Sequence, residues 1–160
     1  MKKILILTLI SFCLSCNSSA QKKEQKDTFP ITKTDAEWKA QLTDLQYYVL
    51  REAGTERAFS SSFNDNHLKG MYVCAACKTP LFKSEHKYDS RSGWPSFDRE
   101  IKGNVAYSVD YNIGVPRKEE HCATCGGHLG HVFEDGPQET TGLRHCINGA
   151  ALKFIPKKND

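Results

Sequence analysis

Two cysteine pairs, Cys74-Ala75-Ala76-Cys77 and Cys122-Ala123-Thr124-Cys125, are separated by the 44 residues 78–121. Paired knuckles of this kind supply four thiolates to one tetrahedral zinc, the usual composition of a closed structural site. Gly126 directly after the second pair lets the backbone turn so that amides face sulfur, whereas Lys78 after the first pair is a weaker turn signal. Two other chemistries use the same residues. A redox dithiol is one, but neither pair lies in a βαβ pattern. Disulfides are the other, and an oxidising compartment permits them. Spacing favours the metal, in a structural role, because four protein ligands leave no open position for chemistry.

One cysteine is then left in the body of the chain. Cys146 lies in Arg144-His145-Cys146-Ile147-Asn148. If this segment is extended, Arg144, Cys146 and Asn148 share a face. An arginine beside a thiol lowers its pKa and raises the thiolate fraction, and Asn148 can donate to a developing anion. A buried inert cysteine is the plainer reading of Cys146 alone. His128 and His131 in Gly127-His128-Leu129-Gly130-His131 follow the second knuckle. They suit metal ligation or a core role, but four thiolates already saturate zinc. That frees the imidazoles to give protons to an oxyanion near neutral pH. Trp94, in Ser92-Gly93-Trp94-Pro95-Ser96-Phe97, sits in a turn and suits either the core or the aromatic wall of a pocket for a methyl or thioether. His67, His86 and His121 lie in polar stretches and read as surface residues.

These groups must be positioned by a mainly β chain with helices at its N-terminal end. Thr34-Asp35-Ala36-Glu37 and Thr43-Asp44-Leu45-Gln46 both fit a capping box at a helix start. Trp38 and Leu42 share one helical face, Leu45, Tyr48 and Val49 predict an apolar stripe on the next, and Gly54 predicts its end. Trp38 reads as core. Short β-rich runs follow at 71–73, 105–111, 130–134 and 151–155. Val105, Tyr107, Val109 and Tyr111 alternate with small or polar residues, which predicts a half-buried strand with those four facing inward. No βαβ alternation occurs.

The chain has 160 residues, a formal net charge of +3, 39% hydrophobic and 26% charged residues, which fits one folded domain and excludes a wholly disordered chain. Outside the N-terminus no apolar run approaches the roughly 20 residues of a membrane span. Met1-Lys2-Lys3, the apolar run to Leu14 and Ser15-Cys16 read as a bacterial lipoprotein signal over 1–15, leaving Cys16 lipid-modified. Cleavage near Ser19-Ala20 or an uncleaved anchor are the alternatives. Loss of Lys2 and Lys3 lowers the net charge to +1, so nothing marks a nucleic-acid surface. The Ser/Gln/Lys-rich residues 16–33 read as a flexible tether between membrane and domain, and 34–158 as the domain. The predicted location is the bacterial cell envelope, lipid-anchored and facing the periplasm or the surface.

Arg51 to Arg57 with Phe59, the two knuckles, Ser92 to Phe97, Gly127 to Phe133, Asp135-Gly136-Pro137 and Arg144 to Asn148 occur in one order. Together they resemble the B-type peptide methionine sulfoxide reductases, which reduce the R epimer of methionine sulfoxide. The resemblance runs from about Thr34 to Pro156. It implies two antiparallel β-sheets with N-terminal helices and a structural zinc. It also implies that Cys146 is the nucleophile and that Trp94 packs on the substrate's S-methyl group. His128 and His131 then flank the sulfoxide oxygen, supported by Asn148 and Arg144. Thiolate attack on the sulfoxide sulfur leaves methionine and a sulfenic acid on Cys146. Many members carry a recycling cysteine directly before Gly-Trp-Pro, where this chain has Ser92. An external thiol reductant, thioredoxin-like, is therefore expected. His145 stands where Tyr or Phe is common and should point away from the Cys146 face, so no role attaches to it. The rival reading is a non-catalytic zinc-bearing binding module, which would need the knuckles but not Cys146, the histidines and Trp94 together. A redox chaperone working through its cysteine pairs fits less well.

Overall fold

The computed structural model describes residues 29–158. The signal at 1–15, Cys16 and the tether up to residue 28 lie outside the described residues. Phe29 and Ile31, read from sequence as tether, belong to the fold. The Ile31 amide donates to the Thr124 carbonyl at 2.9 Å, and the Phe29 ring lies edge-on to His121, 5.7 Å between centroids.

Helix α1 spans Asp35–Gln41 and α2 spans Asp44–Glu52. Both capping boxes form: the Thr34 amide donates to Glu37 and the Thr43 amide to Gln46, while each threonine hydroxyl accepts from the facing amide. Trp38 and Leu42 are buried as predicted. The α2 stripe differs from its prediction. Val49 and Leu50 are buried, while Leu45 and Tyr48 are 49% and 46% exposed, because α2 meets the sheet along a narrower seam. Ala53, not Gly54, takes the left-handed cap at φ 52°. Gly54 is needed for space, since a Cβ there would meet the Tyr48 ring at 2.3 Å. Among the described residues no helix is long and apolar enough to cross a membrane.

Among the described residues nine strands follow: β1 Gly70–Cys74, β2 Pro80–Lys83, β3 Lys87–Tyr88, β4 Ser96–Phe97, β5 Val105–Asp110, β6 Arg117–Cys122, β7 His128–Phe133, β8 Arg144–Ile147 and β9 Leu152–Pro156. They form two antiparallel sheets, ordered β2-β1-β9 and β3-β4-β8-β7-β6-β5. The predicted fold class is thus observed. Tyr72, Leu81, Phe82, Phe97, Leu129 and Ile147 fill the shared core, with Phe82 stacked on Phe97 at 4.4 Å. β6 carries Arg117-Lys118-Glu119-Glu120 and gave no strand signal, yet it pairs with β5 and β7 on its two sides. β5 reverses its predicted faces. Only Val105 is buried; Val109 and Tyr111 are 59% and 66% exposed, because Ser108 and Asp110 turn instead toward hydrogen-bonding partners beside Cys146.

Candidate active site

Pairing across the larger sheet sets one row of side chains. Ser96 opposes Cys146, Cys146 opposes His131, His131 opposes Glu119, and Glu119 opposes Ser108. Residues directly opposite share a face, so strand register alone places sulfur beside imidazole. One step along the strands, Arg144 opposes Phe133 and Arg117 opposes Asp110.

Each histidine is held by a carboxylate. His131 Nε2 hydrogen-bonds to Asp110, whose carboxylate also accepts from Arg117 at 3.1 Å. Burial raises Asp110, but the bonds from His131, the Asn112 amide and Arg117 outweigh it and bring it to about 2. His131 is lowered by burial more than Asp110 raises it. His128 Nδ1 lies 2.6 Å from Glu119 Oε1, and Ser108 donates to the other oxygen at 3.0 Å. The His128 bond is the main reason Glu119 stays below the usual carboxylate range.

Cys146 behaves differently from its sequence-based expectation. Burial pushes the thiol up, and Ser92, with Oγ 3.7 Å from Sγ, and Arg144 only partly offset this. Arg144 is already committed. It makes a forked pair with Asp135 at 2.8 and 2.9 Å, and its guanidinium lies 4.5 Å from the Phe133 ring centroid. It still acts on the thiol by charge and hydrogen bonding, but by less than burial raises it.

Cys146 opens into a cavity of about 120 Å³ bounded by Thr55, Trp94, Arg117, Gly130, His131, Phe133 and Asn148. Trp94 is half-buried and anchored by a bond from Nε1 to the Glu56 carbonyl at 3.2 Å. Asn148 is a clamp. Its Oδ1 accepts from the Glu56 amide at 3.0 Å and its Nδ2 donates to the Leu129 carbonyl at 3.0 Å, which leaves one N–H for the cavity. Glu56 is buried and accepts from the amides of Gly149 and Ala150 at 2.6 and 2.8 Å. Gly130 lets β7 approach β8, since a Cβ there would lie 2.0 Å from the Cys146 carbonyl.

The four knuckle cysteines converge at the far ends of β1 and β6. Their sulfurs lie within 4.8 Å of one another, with Cys77–Cys122 at 3.5 Å and Cys74–Cys125 at 3.7 Å. A disulfide needs about 2.05 Å. A tetrahedron with metal–sulfur bonds of about 2.3 Å has edges of about 3.8 Å, so the donor set fits a metal. The two turns are twins. Lys78 and Gly126 both have φ 68°, and their amides donate to the Cys74 and Cys122 carbonyls at 2.9 and 2.8 Å. Lys78 thus adopts the left-handed turn despite its weaker signal. Arg51 ties α2 to this site by donating to the Cys125 carbonyl at 3.0 Å.

Comparison with known proteins decides the family. The SelR domain profile matches residues 42–156. The chain is 52% identical over 128 residues to the peptide methionine sulfoxide reductase MsrB of Burkholderia cenocepacia (strain HI2424), covering 79% of this chain and 90% of that one. It is 53% identical over 127 residues to MsrB of Leptospira interrogans, covering 79% and 96%, and 52% over 126 residues to MsrB of Thiobacillus denitrificans, covering 78% and 95%. The chain belongs to the SelR family of B-type methionine sulfoxide reductases.

This SelR domain has features that sequence reasoning missed. Asp110 was missed because the apolar alternation of β5 assigned it to the solvent face, and Glu119 because the charged β6 gave no strand signal. Glu56 lay within the Arg51–Arg57 segment that carried the resemblance. His145 does point away from the Cys146 face, but into a charged pocket. Its Nδ1 lies 2.6 Å from Glu120 Oε1, both side chains are fully buried, and Nε2 lies 3.4 Å from Glu100. Burial raises Glu120 against the pull of His145. Among the histidines read as surface, only His67 is exposed. His86 is half-buried between Glu85 and Asp98, and His121 packs on Phe29.

Proposed function

We propose that the SelR domain reduces peptide-bound methionine-R-sulfoxide through Cys146, with His131 as the proton donor. The chain is a peptide-methionine (R)-S-oxide reductase, an oxidoreductase, by family membership. One observation carries the residue assignment: Cys146 and His131 are direct cross-strand partners around a small cavity walled by Trp94. Trp94 takes the S-methyl group. Cys146 Sγ attacks the sulfoxide sulfur while His131 protonates its oxygen. The oxygen passes to Cys146, so thiol plus sulfoxide become sulfenic acid plus thioether. The methionine sulfur gains two electrons and the cysteine sulfur loses two. Asp110 stabilises the imidazolium, His128 with Glu119 supports it, Asn148 donates to the oxygen, and Arg144 steadies the anionic sulfur.

Replacing His131 by Ala is expected to slow single-turnover methionine formation by about 10²–10⁴-fold. Trp94→Ala should instead raise KM and erode the preference for the R over the S epimer. Rapid-quench chromatography of both epimers checks the pair, and an unchanged single-turnover rate in the His131 variant would locate the donor elsewhere. Asp110→Asn removes the group that raises His131, so the imidazolium should be lost at lower pH. The alkaline limb of single-turnover kcat/KM should move to lower pH; a limb that stays in place assigns it to another group.

We assign the four-cysteine site to zinc, held by Cys74, Cys77, Cys122 and Cys125. Bound there, zinc stabilises thiolates and cross-links two strands' ends, and it carries no part of the reduction. A thiol reductant, thioredoxin-like, restores Cys146. Leu14-Ser15-Cys16 supports lipid attachment at Cys16 and a place in the bacterial cell envelope. Incorporation of labelled palmitate that disappears in Cys16→Ser tests this; labelling that persists overturns it.

A further inference from the structure

Cys146 lines one opening and is separated by the Ser92 side chain from a second, and the two openings share no residue. One is the cavity bounded by Trp94 and His131, on the β7 side. The other is a wider groove on the β4 side, lined among others by Tyr88, Asp89, Ser92, Asp135, Glu139 and Arg144. Ser92 links the groove to the sulfur, its hydroxyl 3.7 Å from Sγ. Behind it runs a chain of hydroxyls, Ser92 to Ser90 at 2.8 Å and Ser90 to Ser96 at 2.6 Å. Among the described residues, the remaining cysteines are all in the knuckle cluster.

We propose that the groove is the entry for the reducing thiol and that it selects thiols carried on a positively charged group. This rests on the proposed sulfenic acid at Cys146. Displacement at sulfur is in line, with the incoming sulfur opposite the departing oxygen. His131 protonates that oxygen, so the S–O bond points to the β7 side. The groove meets the sulfur's other side at Ser92, whose hydroxyl turns aside to admit the incoming thiol. The incoming thiolate forms the S–S bond, the S–O bond breaks, and hydroxide leaves as water with a proton from His131. A second thiol then takes the first as a disulfide and releases Cys146 reduced. Three carboxylates, Asp89, Asp135 and Glu139, face one guanidinium in the groove, a net charge of −2. Asp135 and Arg144 neutralise each other, which leaves Asp89 and Glu139 to set the field.

The test separates the two half-reactions. The soluble domain is charged with one equivalent of N-acetylmethionine-R-sulfoxide amide, and methionine formation is recorded first. Recycling of the sulfenic acid is then followed with cysteamine, 2-mercaptoethanol and 3-mercaptopropionate at equal thiolate concentration. At low salt cysteamine should lead mercaptopropionate by about tenfold, with the neutral thiol between. Because the Debye length is only about 3 Å at 1 M, that salt should nearly remove the order. The double variant Asp89→Asn, Glu139→Gln should lose the preference while single-turnover methionine formation is unchanged. Equal rates for the three thiols at low salt, or a preference that survives in the double variant, overturns the proposal. Failure of methionine formation in the first stage would instead strike the Cys146 reading itself.

Discussion

Cys146→Ser is expected to abolish methionine formation in both single and multiple turnovers while leaving fold and metal content intact. The serine hydroxyl fits the same space between Ser96 and His131, so β8 keeps its pairing with β4 and β7. The chemistry cannot follow. A hydroxyl is a far weaker nucleophile near neutral pH, and its oxygen cannot accept a second oxygen atom as sulfur does. No knuckle sulfur lines the cavity to substitute for it. Methionine release measured by chromatography, beside thermal melting and metal content, checks the result. Methionine formed at an undiminished rate, with the melting temperature preserved, would remove Cys146 as nucleophile.

Cys125→Ser should lower metal content and stability together. The Cys125 side chain is buried, and its carbonyl anchors Arg51 of α2. The cluster joins the turn after β1 to the turn between β6 and β7, segments far apart in sequence. Metal affinity of this kind is coupled to folding, with apparent values of about 10–16 kcal/mol for zinc in small fingers. Domain stabilities are about 5–15 kcal/mol, so losing even part of that term is severe. We expect loss of the cooperative unfolding transition near ambient temperature and release of one zinc per chain, read by calorimetry and a colorimetric zinc indicator. A variant that binds no zinc yet melts with the wild-type protein would show that the site does not hold the fold.

The capping boxes at Thr34 and Thr43 and the metal-fitting knuckles were legible because each depends on residues close in sequence or on a strong spacing, and short β-rich runs gave the mainly β class; the two-sheet arrangement came only with the family resemblance. Trp38 was legible as core for the same reason. The faces of β5 were not. Its apolar residues alternate correctly, but hydrophobic alternation reports burial only where another layer covers that face, and β5 is an edge strand. Polar Ser108 and Asp110 face the site because Glu119, Arg117 and His131 offer partners there.

The environment of Cys146 shows the same division. Residue types and order carried the likeness to the SelR family, and that likeness is what grouped this thiol, two histidines and Trp94. Only the tertiary structure decided how the groups act on one another. Sequence adjacency made Arg144 the neighbour that would ionise the thiol, yet the folded chain turns that guanidinium to Asp135 and buries the sulfur. It also supplied Asp110 and Glu119 to the histidines, from strands that sequence left unassigned or read with the wrong face. A pKa is set by solvent exclusion and by charges within a few ångströms, and both depend on strand register and packing across residues distant in the chain.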